Sequence, residues 1–496
     1  MMAGYVPATP SLPGIPIELR DAIFATITRR DLANLAQTCK ALHFATLPAL
    51  YSDLVLTCDP DDPTPINRTP LAQHAKLLGT LINKPHYALC VRSIHLQSVQ
   101  SNWDLPREDD EESLIEKGRQ VEALRYLFAE NLCLTMPDEL TIAWMVLSLC
   151  EQLRSLIMPA NMVRGSMTWL HKVFVADQPI APGNKSTRMP LSTLATLTVP
   201  LRTCIKDLGI LAYRMTFDRA VQFLMPNLPA LLHLRTPRLV ESERLMTLES
   251  LRALRLDSTS EPAENVAAIL KRLPCLEELY LDLFLENCYP NYRLDHLREG
   301  LGHVRRTLKA LTVEFATYSG FDDMTTESNG YAHGSLGPLR DFTALVELNI
   351  PLPLLFGCIP SEDAPPLGHM LPPALKSLTV NDDLWHLGLP KFFWTGRSVM
   401  DVARQFFNED CRETTPRLQD FTLSLSLKSR EDIDGTYWEN PAIHEELRSI
   451  AGRTKAMIVS ASELDSYDRR YMDDESSLLL LLDEVWPSKV VYNGYA

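Results

Sequence analysis

The sequence predicts an α/β protein in which a short three-helix segment precedes an irregular array of helix–strand units. Residues 15–42 carry apolar positions at helical spacing, with defined breaks between them. Beyond about residue 85 one phrase, L-x-x-L-x-L, returns again and again with conservative swaps. The 35 prolines outnumber the 20 glycines, the reverse of average usage, which suits many short elements with stiff connections.

Pro16 suits the first turn of a helix, where its missing N–H has no partner to lose. Leu19, Ile23 and Ile27 recur every fourth residue and so share one helix face. Asp31 is expected to cap a second helix by accepting backbone N–H groups. Leu32, Leu35, Ala36 and Cys39 follow at i, i+3, i+4 and i+7, the spacing of a buried stripe. A third helix over Ala41 to Leu47 should stop at Pro48. About 40 residues in three helices barely bury a core alone, so a partner covering leftover apolar surface is expected.

In this segment Pro16, Glu18, Leu19, Ile23, Phe24, Ile27, Asp31, Leu32, Leu35, Cys39 and Lys40 fall in unbroken register with an F-box, which the segment resembles. Ile15 stands for the usual leucine and Leu42 for the frequent tryptophan, and both stay apolar. Leu12-Pro13 copies the opening dipeptide three residues too early. The exit through Leu47-Pro48-Ala49-Leu50-Tyr51 into Leu54-Val55-Leu56 is similar to F-boxes of fungal type. An ordinary helical cap on a repeat array is the alternative. The resemblance implies that Ile15, Pro16, Leu19, Ile23, Leu32, Leu35, Cys39 and Leu42 lie in or beside the contact with a Skp adaptor.

The repeated phrase occurs clearly at Leu153-Leu156-Met158, Leu194-Leu197-Val199, Leu251-Leu254-Leu256 and Leu276-Leu279-Leu281. It recurs at Leu308-Leu311-Val313, Leu345-Leu348-Ile350, Leu375-Leu378-Val380 and Leu418-Phe421-Leu423, with weaker copies at Val91-Ile94-Leu96 and Leu231-Leu234. Its x-L-x-L ending predicts a short strand with one buried face. Helical stripes precede several copies: Ile142, Met145, Val146 and Leu149; Val266, Ile269, Leu270 and Leu273; Val399, Val402, Ala403 and Phe406. Neither half of such a unit buries its apolar face alone, so neighbours must stack.

This pattern resembles an irregular leucine-rich-repeat solenoid, which implies strands on a concave face and helices on the convex side. The spacing from Leu251 to Leu276, about 25 residues, fits the family's usual unit, and other spacings are longer. The asparagine expected three residues after the last leucine occurs only as Asn161; Arg202, Thr259, Phe284 or Pro353 hold that position elsewhere. A non-solenoid α/β domain with leucine-rich strands is the alternative. Side chains alternate along a strand, so the residues flanking the inner leucines share the open face. They include Arg255, Asp257, Glu278, Tyr280, Asp282, Thr312, Glu314, Glu347, Asn349, Thr379, Asn381, Asp420 and Thr422. Acidic groups outnumber the lone Arg255, and Tyr280 offers an aromatic anchor, so a basic target segment is expected there, the alternative being solvated strand residues with no partner.

The expected organisation is an F-box over 11–57, a linker over 58–84, repeats over 85–435 and a C-terminal cap over 436–496. Asp59 to Pro70 reads as a loop, the acidic run Glu108 to Glu112 as a solvated segment, and Phe321 to Pro338 as a long exposed loop. Helical character is expected near Glu445 to Ile450 and Ser476 to Trp486.

A net charge of −15 disfavours general nucleic-acid binding, which needs a basic face. The ten cysteines include no Cys-x-x-Cys pair, so a metal finger is not expected. No apolar signal region follows the N-terminus, and the run Leu478 to Leu482 is too short for a membrane span, so a cytoplasmic or nuclear protein is expected. His444-Glu445-Glu446-Leu447-Arg448 lacks the second histidine of a zinc-protease helix. Gly183-Asn184-Lys185-Ser186 breaks the phosphate-loop pattern, and His333-Gly334-Ser335-Leu336-Gly337 lacks the first glycine of a nucleophile elbow. No catalytic residue, metal or cofactor is expected.

The two resemblances together imply a substrate-recognition subunit of a Skp–cullin–F-box ubiquitin ligase, non-catalytic itself, that binds Skp, and cullin through it, and a target protein. The alternative is a Skp-binding scaffold that does not assemble a ligase.

Overall fold

The structure, a computed structural model, describes residues 15–56, 69–96, 139–158, 193–198, 228–236, 248–259, 261–285, 291–317, 331–357, 364–381, 394–426, 440, 442–443, 445–446, 449 and 458–464. The chain is a mixed α/β protein dominated by parallel strands, and it divides into two units, Met1–Leu232 and His233–Ala496. Among the described residues no helix is long and apolar enough to cross a membrane.

The first unit opens with three helices, α1 (Ile17–Ala25), α2 (Arg29–Thr38) and α3 (Lys40–Tyr51). Phe24, Leu32 and Ala45 form their core, with Ile27, Leu35, Ala49 and Leu50 packed around it. Thr28, not Asp31, caps α2. Its hydroxyl oxygen accepts the Asp31 N–H at 3.2 Å and its O–H donates to the Asp31 carboxylate at 2.7 Å. Asp31 is the third residue of the helix, where a carboxylate still favours the positive end of the helix dipole. Cys39 is extended at φ −159° and separates α2 from α3, so the expected buried stripe ends before it and Cys39 is exposed.

Pro48 does not stop the third helix, which runs on to Tyr51. A proline inside a helix forfeits one backbone bond, but the flanking residues hold the turn in place. Leu47 is buried, Ala49 and Leu50 pack on the core, and the Tyr51 ring lies 4.9 Å from that of Tyr87.

The trio is tied to the strands that follow. Ser52 O accepts the N–H groups of Arg92 and Ser93 at 2.7 and 2.8 Å, and the Arg29 guanidinium donates to Asp53 O. Strands β1 (Asp53–Leu56), β2 (Ser93–Leu96), β3 (Ser155–Ile157) and β4 (Thr196–Thr198) pair in parallel, with Leu54, Ile94, Leu156 and Leu197 in register. The stretch expected as a linker holds α4 (Thr69–Asn83), and the next residues hold α5 (Pro85–Ala88). Leu78 and Leu81 of α4 are fully buried, which is why this stretch is helix rather than loop. Helix α6 (Glu139–Leu149) precedes β3 as its stripe predicts.

The second unit repeats one scheme. Strands β5 (His233–Thr236), β6 (Ala253–Thr259), β7 (Glu278–Leu285), β9 (Ala310–Thr317), β11 (Glu347–Pro351), β12 (Ser377–Asn381), β13 (Asp420–Ser426) and β14 (Ile458–Leu464) lie in that order, each parallel to the next. Leu234, Leu254, Leu279, Leu311, Leu348, Leu378 and Phe421 stand in one register row, each at most 2% exposed. Each fully buried leucine in such a row contributes about 1.5–3 kcal/mol relative to exposure.

One turn bond recurs at the strand entries. The Arg252 carbonyl accepts from Glu277 and Glu278, that of Glu277 from Lys309 and Ala310, and that of Lys309 from Val346 and Glu347. The phrase is thus repeated in backbone bonding as well as in sequence.

Helices α7 (Ala263–Leu270), α8 (Leu294–Val304), α9 (Leu352–Phe356), α10 (Leu367–Met370), α11 (Gly396–Gln405) and α12 (Cys411–Thr414) lie between these strands. In α7 the expected Val266, Ile269 and Leu270 are buried, as are Val399 and Ala403 in α11. Helix α8 adds a stripe of Leu294, Leu297, Leu301 and Val304.

The stretch expected as a long exposed loop holds β10 (Tyr331–His333), which pairs in parallel with β8 (Asn291–Arg293), and Leu336 just beyond is fully buried. The segment expected as a cap contributes β14, which pairs with β13 over Asp420↔Ile458 to Ser426↔Leu464. Asn161, Arg202, the run Glu108 to Glu112, Gly183 to Ser186 and Leu478 to Leu482 lie outside the described residues.

Candidate functional site

Two surfaces stand out, one in each unit. On the helical trio, α1 exposes Ile17, Leu19 and Ile23, with Leu19 59% exposed, and α3 exposes Phe44 at 63%. Leu19 and Ile23 are one turn apart and share a face, while Phe24, the next residue, turns inward at 1%. Four large apolar side chains of this small bundle are thus left in water.

Of the residues expected at an adaptor contact, Pro16, Leu19, Ile23 and Cys39 are exposed, and Ile15, Leu35 and Leu42 are half-buried. Leu32 is 3% exposed and belongs to the trio's own core, so the expectation of an adaptor contact does not hold for its side chain. Sequence reasoning passed over Phe44, whose ring meets the His43 ring edge-on at 5.6 Å. His43 Nε2 in turn lies 3.0 Å from Tyr87 Oη, which fixes this end of α3 against α5.

The second surface is the polar face of the parallel strands in the second unit. The register row between the inner leucines reads Arg235, Arg255, Tyr280, Thr312, Asn349, Thr379 and Thr422. Arg255 is not the lone arginine of this face. Arg235 stands beside it, and both guanidinium groups donate to Asp257, Arg255 Nε at 2.6 Å. The Arg255 guanidinium also lies 3.8 Å over the Tyr280 ring, and Tyr280 Oη donates to Glu314. Burial disfavours the Arg255 charge, but Asp257, Tyr280 and Glu314 outweigh it and its pKa rises. Burial also pushes the Tyr280 hydroxyl well above its ordinary value, with Glu314 adding to the effect, so it remains a hydrogen-bond donor.

Asp257, Asp282 and Asn381 are buried, whereas Thr312, Glu314, Asn349 and Thr379 are half-buried. The structure therefore brings Arg255, Asp257, Tyr280 and Glu314 into one bonded cluster, and it joins Asn349 to Asn381 Nδ2 at 3.1 Å. Arg235 was legible in principle, since it follows Leu234 as Arg255 follows Leu254.

Among the described residues no group of three His, Cys, Asp or Glu side chains could hold a metal ion. Glu446, in the segment that begins like a zinc-protease helix, is held by Arg404, whose Nε and Nη2 lie 2.6 and 3.0 Å from its carboxylate oxygens. Compared with known proteins, the chain matches no family model and no curated protein.

Proposed function

We propose that this chain is the substrate-recognition subunit of a Skp–cullin–F-box ubiquitin ligase. The trio engages the Skp adaptor, and the strand face of the second unit holds a protein target. The observation that carries this reading is the split within α1: Leu19 and Ile23, which the F-box pattern assigns to the adaptor, are exposed, while Phe24 of the same pattern supplies the internal core. The in-register rows of leucines support the second half, because a leucine-rich solenoid buries one side of each strand and leaves the other free to bind.

Such a receptor performs no bond chemistry. It holds a target near a charged conjugating enzyme and so raises the effective concentration of target lysines. The proposal carries with it a cytoplasmic or nuclear location.

The test is co-expression of the full chain with a Skp adaptor. Leu19→Asp with Ile23→Asp should abolish adaptor capture while the thermal melt of the chain stays unchanged. Capture by the double variant would sink the F-box assignment. Cullin co-purification with the wild type separates a ligase subunit from a scaffold.

A further inference from the structure

We propose that the strand face of the second unit recognises an extended, polyproline-type segment bearing Lys or Arg at every third position and lying across the strands. This rests on the reading of that face as the target-binding surface. One register row runs Glu278, Ala310, Glu347, Ser377, Asp420 across β7, β9, β11, β12 and β13. Carboxylates therefore alternate with small side chains, a pattern invisible along any single strand. Glu278 and Glu347 are exposed and Asp420 is half-buried, and among the described residues none of the three carboxylates is in an ion pair.

Adjacent strands lie about 4.8 Å apart, so carboxylates on alternate strands stand about 9.5 Å apart. A polyproline helix has three residues per turn and advances about 3.1 Å per residue, so every third side chain returns to one face about 9.3 Å further on. A β-strand peptide alternates its side chains and does not repeat on one face with that period. The small Ala310 and Ser377 leave room between the acidic positions for the chain to sit down.

Asn381 stands outside the acidic row, four residues beyond Ser377 on β12. It shares its face of β12 with Ser377 and Thr379, and it is 5% exposed. Its Nδ2 is committed to Val313 O and Asn349 Oδ1, both at 3.1 Å, while its Oδ1 has no hydrogen-bond partner. At the other end, Arg235 and Arg255 on β5 and β6 repel cations, so the segment would lie from β7 toward β13.

The experiment titrates the full chain with labelled peptides: an Arg-Pro-Pro repeat, an isomer with its arginines clustered, and a helical peptide with arginine every seventh residue. The repeat should bind about tenfold more tightly than the clustered isomer, and more weakly as salt rises. The combined Glu278→Gln, Glu347→Gln, Asp420→Asn variant should lose that preference. Equal binding of the isomers, no binding by either, or tighter binding of the helical peptide overturns the proposal. Thr379→Trp, which fills the middle of the face, separates this inference from the reading beneath it. If the repeat binds and Thr379→Trp leaves it unchanged, the face is not the docking surface and both fall. If no peptide binds but Thr379→Trp still removes capture of a cross-link-mapped target, only the basic-triplet inference falls.

Discussion

The Asn381 side chain donates to the backbone carbonyl of Val313 at 3.1 Å, reaching from β12 past β11 to β9. The reason lies in β11. Glu347 N–H donates to Lys309 O at 3.0 Å, and donors along a parallel strand recur every second residue. The third donor of this edge falls on Pro351, which has no N–H to give to Val313. Asn381, in register with Pro351, supplies the missing one.

Asn381→Ala should therefore cost about 1–3 kcal/mol, the usual penalty for leaving a buried acceptor unmet. Pro351→Ala restores a backbone donor opposite the same carbonyl. Denaturant melts of the two single variants and the double should show coupling, with the double losing less than the sum. Strict additivity would count against the substitution of one donor for the other.

The trio makes a second contrast. Leu32→Ala opens a cavity in the cluster with Phe24 and Ala45 and should destabilise the trio by about 2–5 kcal/mol. Leu19→Ala removes an exposed side chain and should stay within about 0.5 kcal/mol. Hydrogen exchange of the α2 and α3 amides reads both, and equal effects would mean the core is assigned wrongly.

Two glycines of α8 should respond in opposite directions to alanine. A Cβ on Gly300 would lie 2.5 Å from Ala267 Cα, so Gly300→Ala must push α8 off α7. Gly302 has nothing within 4 Å of that position, so Gly302→Ala should stabilise by about 0.5–1 kcal/mol through helix propensity alone. Thermal melting of the two variants is the measurement.

His95, on β2, is held below its ordinary pKa by burial. Below about pH 6.5 the unfolded chain protonates this imidazole while the folded state resists. The unfolded state then binds more protons, so stability rises with pH in that window. The contribution is complete above the unfolded value and is lost as pH falls toward the folded one. His95→Gln should flatten that part of the melting-temperature profile relative to wild type, and parallel profiles would rule the effect out.

Much of the strand framework was legible in the sequence because its signal is local. In each x-L-x-L ending the leucines alternate with period two, and from Leu254 to Phe421 the structure buries those positions in one row. Helices α7 and α11 were legible for the same reason, their stripes repeating at helical spacing within a dozen or so residues. Strand β14 escaped because it lies beyond the last clear copy of the phrase, and its pairing partner is β13. The continuation of α3 through Pro48 escaped as well, since burial on both flanks of the proline offsets a local cost.

By itself the sequence determined the composition of each strand face and the apolar positions of the trio, because side-chain period follows from backbone geometry alone. Only the tertiary structure decided which of those positions face inward. Leu19 and Leu32 are both leucines at helical spacing, and packing against Ala45 of α3 sends one to the core and leaves the other in water. It likewise decided that Arg235 and Arg255 share Asp257, that Asn381 stands in for a proline's absent N–H, and that Glu278, Glu347 and Asp420 fall in one row. Each of these depends on register between strands distant in sequence, and register is set by the stacking of the whole array rather than by any one repeat.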